Sequence, residues 1–163
     1  MNSSLVNLTG ASAMKAGGTS KIINLGTVNG AQNLSLEATG TITLGSTGTT
    51  VPLSTVTVVN SFGTTFTGDF FASSVVLADS AIGASIQFQG DSTIISKGLS
   101  TTTKGYNVAF GDSLSDTVVI AGTPEFLNLG SVSLRGNVSF PAGGEITAGS
   151  TSTVSLGGTI VSG

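Results

Sequence analysis

Apolar and polar residues alternate through most of the chain, in short runs broken by Gly, Thr, Ser and Asn. The pattern is clearest over Ala31–Val59, AQNLSLEATGTITLGSTGTTVPLSTVTVV. Leu34 and Leu36 flank a polar residue, as do Ile42 and Leu44, then Val56 and Val58. A period of two places successive side chains on opposite faces of a strand, so each run predicts a strand with one buried face. Thr39-Gly40 and the run Gly45–Thr50 carry turn and loop chemistry. The segment therefore reads as strand, turn, strand, loop, strand.

The same signal recurs along the chain. It predicts strands at Leu5–Leu8, Lys21–Leu25, Asn33–Glu37, Thr41–Leu44, Leu53–Val59 and Thr64–Phe70. It continues at Ser74–Leu77, Ser85–Gln89, Thr93–Ser96, Tyr106–Phe110 and Thr117–Ala121. It ends with Phe126–Leu129, Ser131–Leu134, Asn137–Phe140, Glu145–Thr147, Thr153–Leu156 and Thr159–Val161. Ala11–Lys15 is the one segment that reads as a short helix, stopped by Gly17-Gly18.

The runs are themselves periodic. Leu34 to Val56 is 22 residues; Ile86 to Val108 is 22, Val108 to Val132 is 24, and Val132 to Val154 is 22. A second face shows Ile42 to Phe66 at 24, Val118 to Val138 at 20, and Val138 to Ile160 at 22. A pattern that returns at such intervals predicts a solenoid whose coils complete one another's core. The expected fold is all-β, a β-helix of about seven coils of roughly 22 residues forming one unit over residues 1–163. At about 4.8 Å per coil the rod is on the order of 35 Å long. A sandwich or barrel also strings short strands together, but mostly through tight hairpins. Asn29-Gly30 is the only Asn-Gly or Asp-Gly pair present.

Composition narrows the choice of function. Charged residues are 8% of the chain, far below the roughly 25% of an ordinary domain. Mean hydropathy is +0.42, so the chain folds despite its low complexity. Lys15, Lys21, Lys97, Lys104 and Arg135 are scattered and make no basic patch for nucleic acid. There is no Cys, hence no disulfide or thiolate metal site. There is no His, the commonest general base and metal ligand. No run is long enough for a membrane helix, and Met1–Gly10 lacks the pattern of a secretion signal. An exported protein of this kind is expected to be a piece of something longer and more repetitive.

The order of elements in "LSLEATGTITLG" and "TTVPLSTVTVV" resembles the repeats of filamentous-haemagglutinin-like and autotransporter-like bacterial surface adhesins. Gly40–Gly45 matches their T-G-x-V-T-L-G strand. Thr49–Val58 matches the loop containing T-P-L and the V-x-V strand that follows it, with Val51-Pro52-Leu53 in place of T-P-L. "LNLGSVSLRGNVSF" and "TSTVSLGGTI" echo it more loosely. The resemblance implies a right-handed parallel β-helix at or beyond the bacterial cell surface, with no catalytic residues to carry over.

Four motifs carry candidate chemistry. Gly111-Asp112-Ser113-Leu114 after Phe110 resembles the nucleophile block of the GDSL esterases, with Ser113 as nucleophile; those enzymes need a His that is missing here. Among the carboxylates Glu37, Asp69, Asp79, Asp91, Asp112, Asp116, Glu125 and Glu145, the trio Asp69, Asp79 and Asp91 recurs at 10 to 12 residues and is expected near one edge of the rod. A calcium site needs six to eight converging oxygens, and Gly143-Gly144-Glu145 does not supply the glycine-aspartate calcium repeat. Thr41–Thr43, Thr55–Thr57, Thr65–Thr67 and Thr101–Thr103 are Thr-x-Thr triplets, which stacked in register resemble the face of an ice-binding solenoid. Asn2, Asn7, Asn33 and Asn137 open N-x-S/T triplets, as chance provides in a Ser/Thr-rich chain. The expected function is non-enzymatic, with no catalytic, cofactor or metal residues: a stalk, attachment or self-associating segment of a cell-surface or secreted adhesin, contacting copies of itself or a host surface. A carbohydrate-binding or carbohydrate-cleaving β-helix is the alternative, and the eight Phe, expected inside, argue against it.

Overall fold

A computed structural model describes residues 4–142, 147–148 and 153–163. Among them every regular element is a strand, and every strand pair is parallel. The chain winds as a β-helix of about seven coils. Each coil has three faces, because three separate columns of paired residues run along the rod. Face A stacks Val6, Val28, Thr47, Phe70, Thr93, Val118, Val138 and Ile160. Face B stacks Met14, Leu36, Val58, Leu77 and Thr101. Face C stacks Leu25, Leu44, Phe66, Phe88, Phe110, Leu134 and Leu156.

The alternation in the sequence is the cause of this arrangement. Within Leu34–Ala38, Leu34, Leu36 and Ala38 are buried and the residues between them are half-exposed. Ile42–Leu44 and Ser85–Phe88 repeat the pattern. One coil alone has nothing to pack its inward row against; the coils above and below supply it. Full burial of each Val, Leu, Ile or Phe stabilises by roughly 1.5–3 kcal/mol. The largest side chains form an internal pile. The rings of Phe66, Phe88 and Phe110 lie parallel at 4.7 and 4.4 Å, and Phe70 meets the first two edge-on. Phe126 closes on Phe110 at 6.4 Å.

Corners are made where the backbone passes too closely for a side chain. A Cβ on Gly90 falls 2.3 Å from the carbonyl carbon of Gly68, one coil below. The corner between faces C and A is therefore built on glycine. Other corners vanish: Phe70–Leu77 and Ser92–Thr101 run unbroken from face A to face B, the latter with a register shift between Ile95 and Gly98.

The pairing confirms several intervals and corrects others. Leu34 lies opposite Val56, and Ile86, Val108, Val132 and Val154 form one column. Ile42 pairs with Thr64, and Leu44, not Ile42, stands under Phe66. Val118, Val138 and Ile160 share a face with each other but not with Ile42, so there are three faces where the intervals suggested two. Ala11–Lys15 is not helical. Ser12–Ala16 is a strand held by five pairs to Leu34–Ala38 and by an ion pair of 2.7 Å from Lys15 to Glu37. Tertiary pairing overrides the helix preference of Ala, Met and Lys. Ser131–Leu134 and Asn137–Phe140 fuse into the single strand Val132–Phe140. Val28–Asn29 is a short strand the alternation did not reveal. The strand expected at Glu145–Thr147 lies mostly outside the described residues, with Thr147–Ala148 paired to Glu125–Phe126.

Two substitutions test the stack. Val56 is wholly buried in it. Val56→Asp should cost about 3–5 kcal/mol, because it leaves an unpaired charge inside. Val56→Thr should cost about 1–3 kcal/mol; urea unfolding of both variants measures the difference. Thr93, 1% exposed between Phe70 and Val118, has a hydroxyl without a hydrogen-bond partner among the described residues. Thr93→Val keeps the shape and removes that penalty, so its unfolding midpoint should rise, by a stability gain of about 1 kcal/mol.

Candidate functional site

Gly111–Asp116 forms a corner between faces C and A. Gly111 sits at φ +74° and a Cβ there would fall 2.1 Å from the Arg135 carbonyl oxygen of the coil above. Asp116 is buried, and its Oδ2 accepts the amides of Asp112 at 2.8 Å and Ser113 at 2.9 Å. Its own carbonyl accepts the Asn137 amide at 2.7 Å, tying the turn to the next coil. The Ser113 hydroxyl lies 2.9 Å from the Ser115 hydroxyl and accepts the Ser115 amide. The Asp116 carboxylate is engaged with the backbone amides of the turn. Gly111, Asp112, Ser113 and Asp116 thus all take part in making the corner, and among the described residues the hydrogen-bond partners of the Ser113 hydroxyl are the Ser115 hydroxyl and amide.

The three recurring aspartates divide between corners. Asp69 and Asp91 follow Gly68 and Gly90 at the C–A corner, and Asp69 Oδ1 accepts the Ser92 amide at 2.9 Å. Asp79 lies at the B–C corner, where Oδ1 accepts the Ser80 amide at 2.8 Å and Oδ2 stands 3.9 Å from Lys104 Nζ. The expected single edge is thus two edges, because the long corner 78–84 absorbs part of the interval. Among the described residues no three carboxylates come together as a cation site. Gly143-Gly144-Glu145 and Asn2 lie outside the described residues.

The threonine triplets do not align as their spacing suggested. Thr65 pairs with Thr43, not Thr41, and that outward row continues as Gln87, Ala109 and Ser133. Thr57 stands between Ser35 and Val76. Thr101 turns inward, 4% exposed, and accepts the amides of Leu127 and Asn128 while donating to Glu125. Among the described residues the hydroxyl row on face C is thus one Thr43–Thr65 step that ends at Gln87.

The B–C corner holds the chemistry that the sequence concealed. Inside it runs a chain of buried polar groups. Ser61 and Ser80 hydroxyls are 3.1 Å apart, and the Thr64 hydroxyl donates to Ser61 at 3.0 Å. The Tyr106 hydroxyl donates to the Leu77 carbonyl at 2.5 Å, and the Asn128 side-chain Nδ2 donates to the Tyr106 carbonyl at 3.0 Å. Outside it lies a depression of about 420 Å³ walled by Phe62 and Ile82, with Asn60, Asp79, Thr103 and Lys104 around them. Phe62 is 66% exposed and Ile82 is 92% exposed. Phe62 was expected in the core. It points out because Ser61 and Thr64 take the inward places at this corner. Alternation alone gives no sign of this, since Phe62, Thr64 and Phe66 share one parity; the parity is broken in the turn at Gly63, whose φ is +124°.

Burial pushes the Tyr106 hydroxyl above its ordinary value of 10.0, outweighing the hydrogen bonds from Thr102. The neutral phenol is the form the fold holds, so its stability is intact below about pH 10 and declines as pH climbs toward the raised value. Tyr106 is the only tyrosine, so its ultraviolet titration is unambiguous. It should ionise above pH 10.0, together with loss of structure. No family model, curated protein or solved structure matches the chain.

Proposed function

We propose that the chain is a non-enzymatic β-helical segment of a bacterial cell-surface or secreted adhesin, serving as stalk, attachment surface or self-associating rod. The observation that carries this reading is where the side chains are committed. Most inward positions of the three faces are taken from coil to coil by buried aliphatic and aromatic residues, with a few threonines and serines among them. The hydroxyls and carboxylates that look catalytic in the sequence are used to hold corners, as with Ser113 and Asp116. What such a body offers to its surroundings is length and repeated outer faces. The match of Gly40–Gly45 and Thr49–Val58 to adhesin repeats supports the same reading.

The test is display of the chain on the surface of a non-adherent bacterium. Settling of the cells as clumps, or attachment to host cells above that of an empty display scaffold, is the expected result. The purified chain should hydrolyse neither short acyl esters nor polysaccharides. Turnover that disappears in Ser113→Ala would replace the adhesin reading with an enzymatic one.

A further inference from the structure

We propose that the B–C corner depression is a binding site for a neutral hexopyranose. The inference is carried by different residues from those behind the proposed function and does not rest on it. The fold does not require an apolar pair here. Among equivalent corners, Gly17–Ile22 in the first coil and Leu127–Gly130 in the sixth each expose a single large apolar residue, Ile22 or Leu129, and Thr39-Gly40 in the second exposes none. At the third and fourth coils the chain instead presents Phe62 and Ile82 side by side, both largely in water. The corners are held rigidly. The Ala81 amide donates to the Ser61 carbonyl at 2.8 Å, and the Gly83 amide to the Gly105 carbonyl at 2.8 Å. Gly105 leaves space into which Ile82 extends: a Cβ there would touch Ile82 Cγ2 at 3.3 Å.

The polar lining selects the ligand. Asp79 Oδ2 and Lys104 Nζ are 3.9 Å apart, too far for a direct hydrogen bond. One hydroxyl between them donates to the carboxylate and accepts from the ammonium. The carboxylate is aimed by the Ser80 amide on its other oxygen. The Asn60 carboxamide and the Thr103 hydroxyl make no hydrogen bond among the described residues and are exposed. One acid and one base cancel, so neither a polyanion nor a cation is favoured. A purely apolar partner would strip water from both charges without compensation. A pyranose ring satisfies the set, with its C–H face on the Phe62 ring and Ile82, and its hydroxyls on Asp79, Lys104 and Asn60. The space suits one such ring, near the lower end of small-molecule pockets.

The experiment is amide NMR of the intact chain titrated with the methyl glycosides of glucose, galactose and mannose. A saturable response to at least one of them is expected, with Kd on the order of 1 mM. The shifts should concentrate in 60–63, 79–83 and 102–105. Phe62→Ala should abolish the response and Asp79→Asn weaken it at least about tenfold, a loss typical of a charge-assisted hydrogen bond. Phe62 is exposed, so its variant keeps the wild-type circular dichroism and unfolding midpoint. No response to any glycoside at about ten times that concentration overturns the proposal. A response that survives Phe62→Ala does so too. Shifts in the same residues that follow protein concentration without sugar also overturn it, and assign the corner to contact between copies.

Discussion

Everything in this molecule depends on the parallel backbone ladder that sets one coil on the next. Its hydrogen bonds run along the rod, and the spacing they impose, about 4.8 Å, is also close to the contact distance of stacked rings and branched side chains. The Phe66, Phe88 and Phe110 centroids, 4.7 and 4.4 Å apart, show the two constraints meeting. Because the same spacing satisfies the backbone and the core, identical residues are not needed at a column position. Face A mixes Val, Thr, Phe and Ile without breaking register. What must be kept is the inward parity of each position and the absence of a side chain where Gly90 crosses Gly68.

The stack explains how polar groups enter the interior. Ser61, Ser80, Thr64 and Thr101 occur at one corner, where a hydroxyl of one coil reaches a hydroxyl, carbonyl or amide of its own coil or a neighbour. There each group has a partner, as a buried polar group must. Thr93, away from that corner, is among aliphatic and aromatic neighbours and finds none among the described residues. The contrast separates a position where a hydroxyl belongs from one where it is only tolerated.

The parity of most strands is legible in the sequence, and so is the coil length. Ile86, Val108, Val132 and Val154 were read as one column from their intervals alone. The number of faces was not legible. A face as short as Val28–Asn29 has no room to alternate, and strands that pass through a corner, such as Phe70–Leu77, hide the boundary. Ala11–Lys15 looks helical locally because the partner of the strand Ser12–Ala16, Leu34–Ala38, is 22 residues away and local preference knows nothing of it. The outer corner was hidden for a related reason. Hydrophobicity assigns Phe62 to the core, and only the inward turn of its neighbours Ser61 and Thr64 sends it out. The esterase-like motif is the converse case, where local letters suggest chemistry that the surrounding coil converts into a turn.

The axial direction of the backbone ladder has a mechanical corollary. In a hairpin or an immunoglobulin-like sandwich, a pull on the chain ends can shear many bonds at once. Here Val6 belongs to one end coil and Ile160 to the other, so tension separates coils in series, a few bonds at a time. Each coil released adds about 22 residues of extended chain, on the order of 75 Å. Such a rod yields gradually under load and lengthens severalfold before it is fully unravelled.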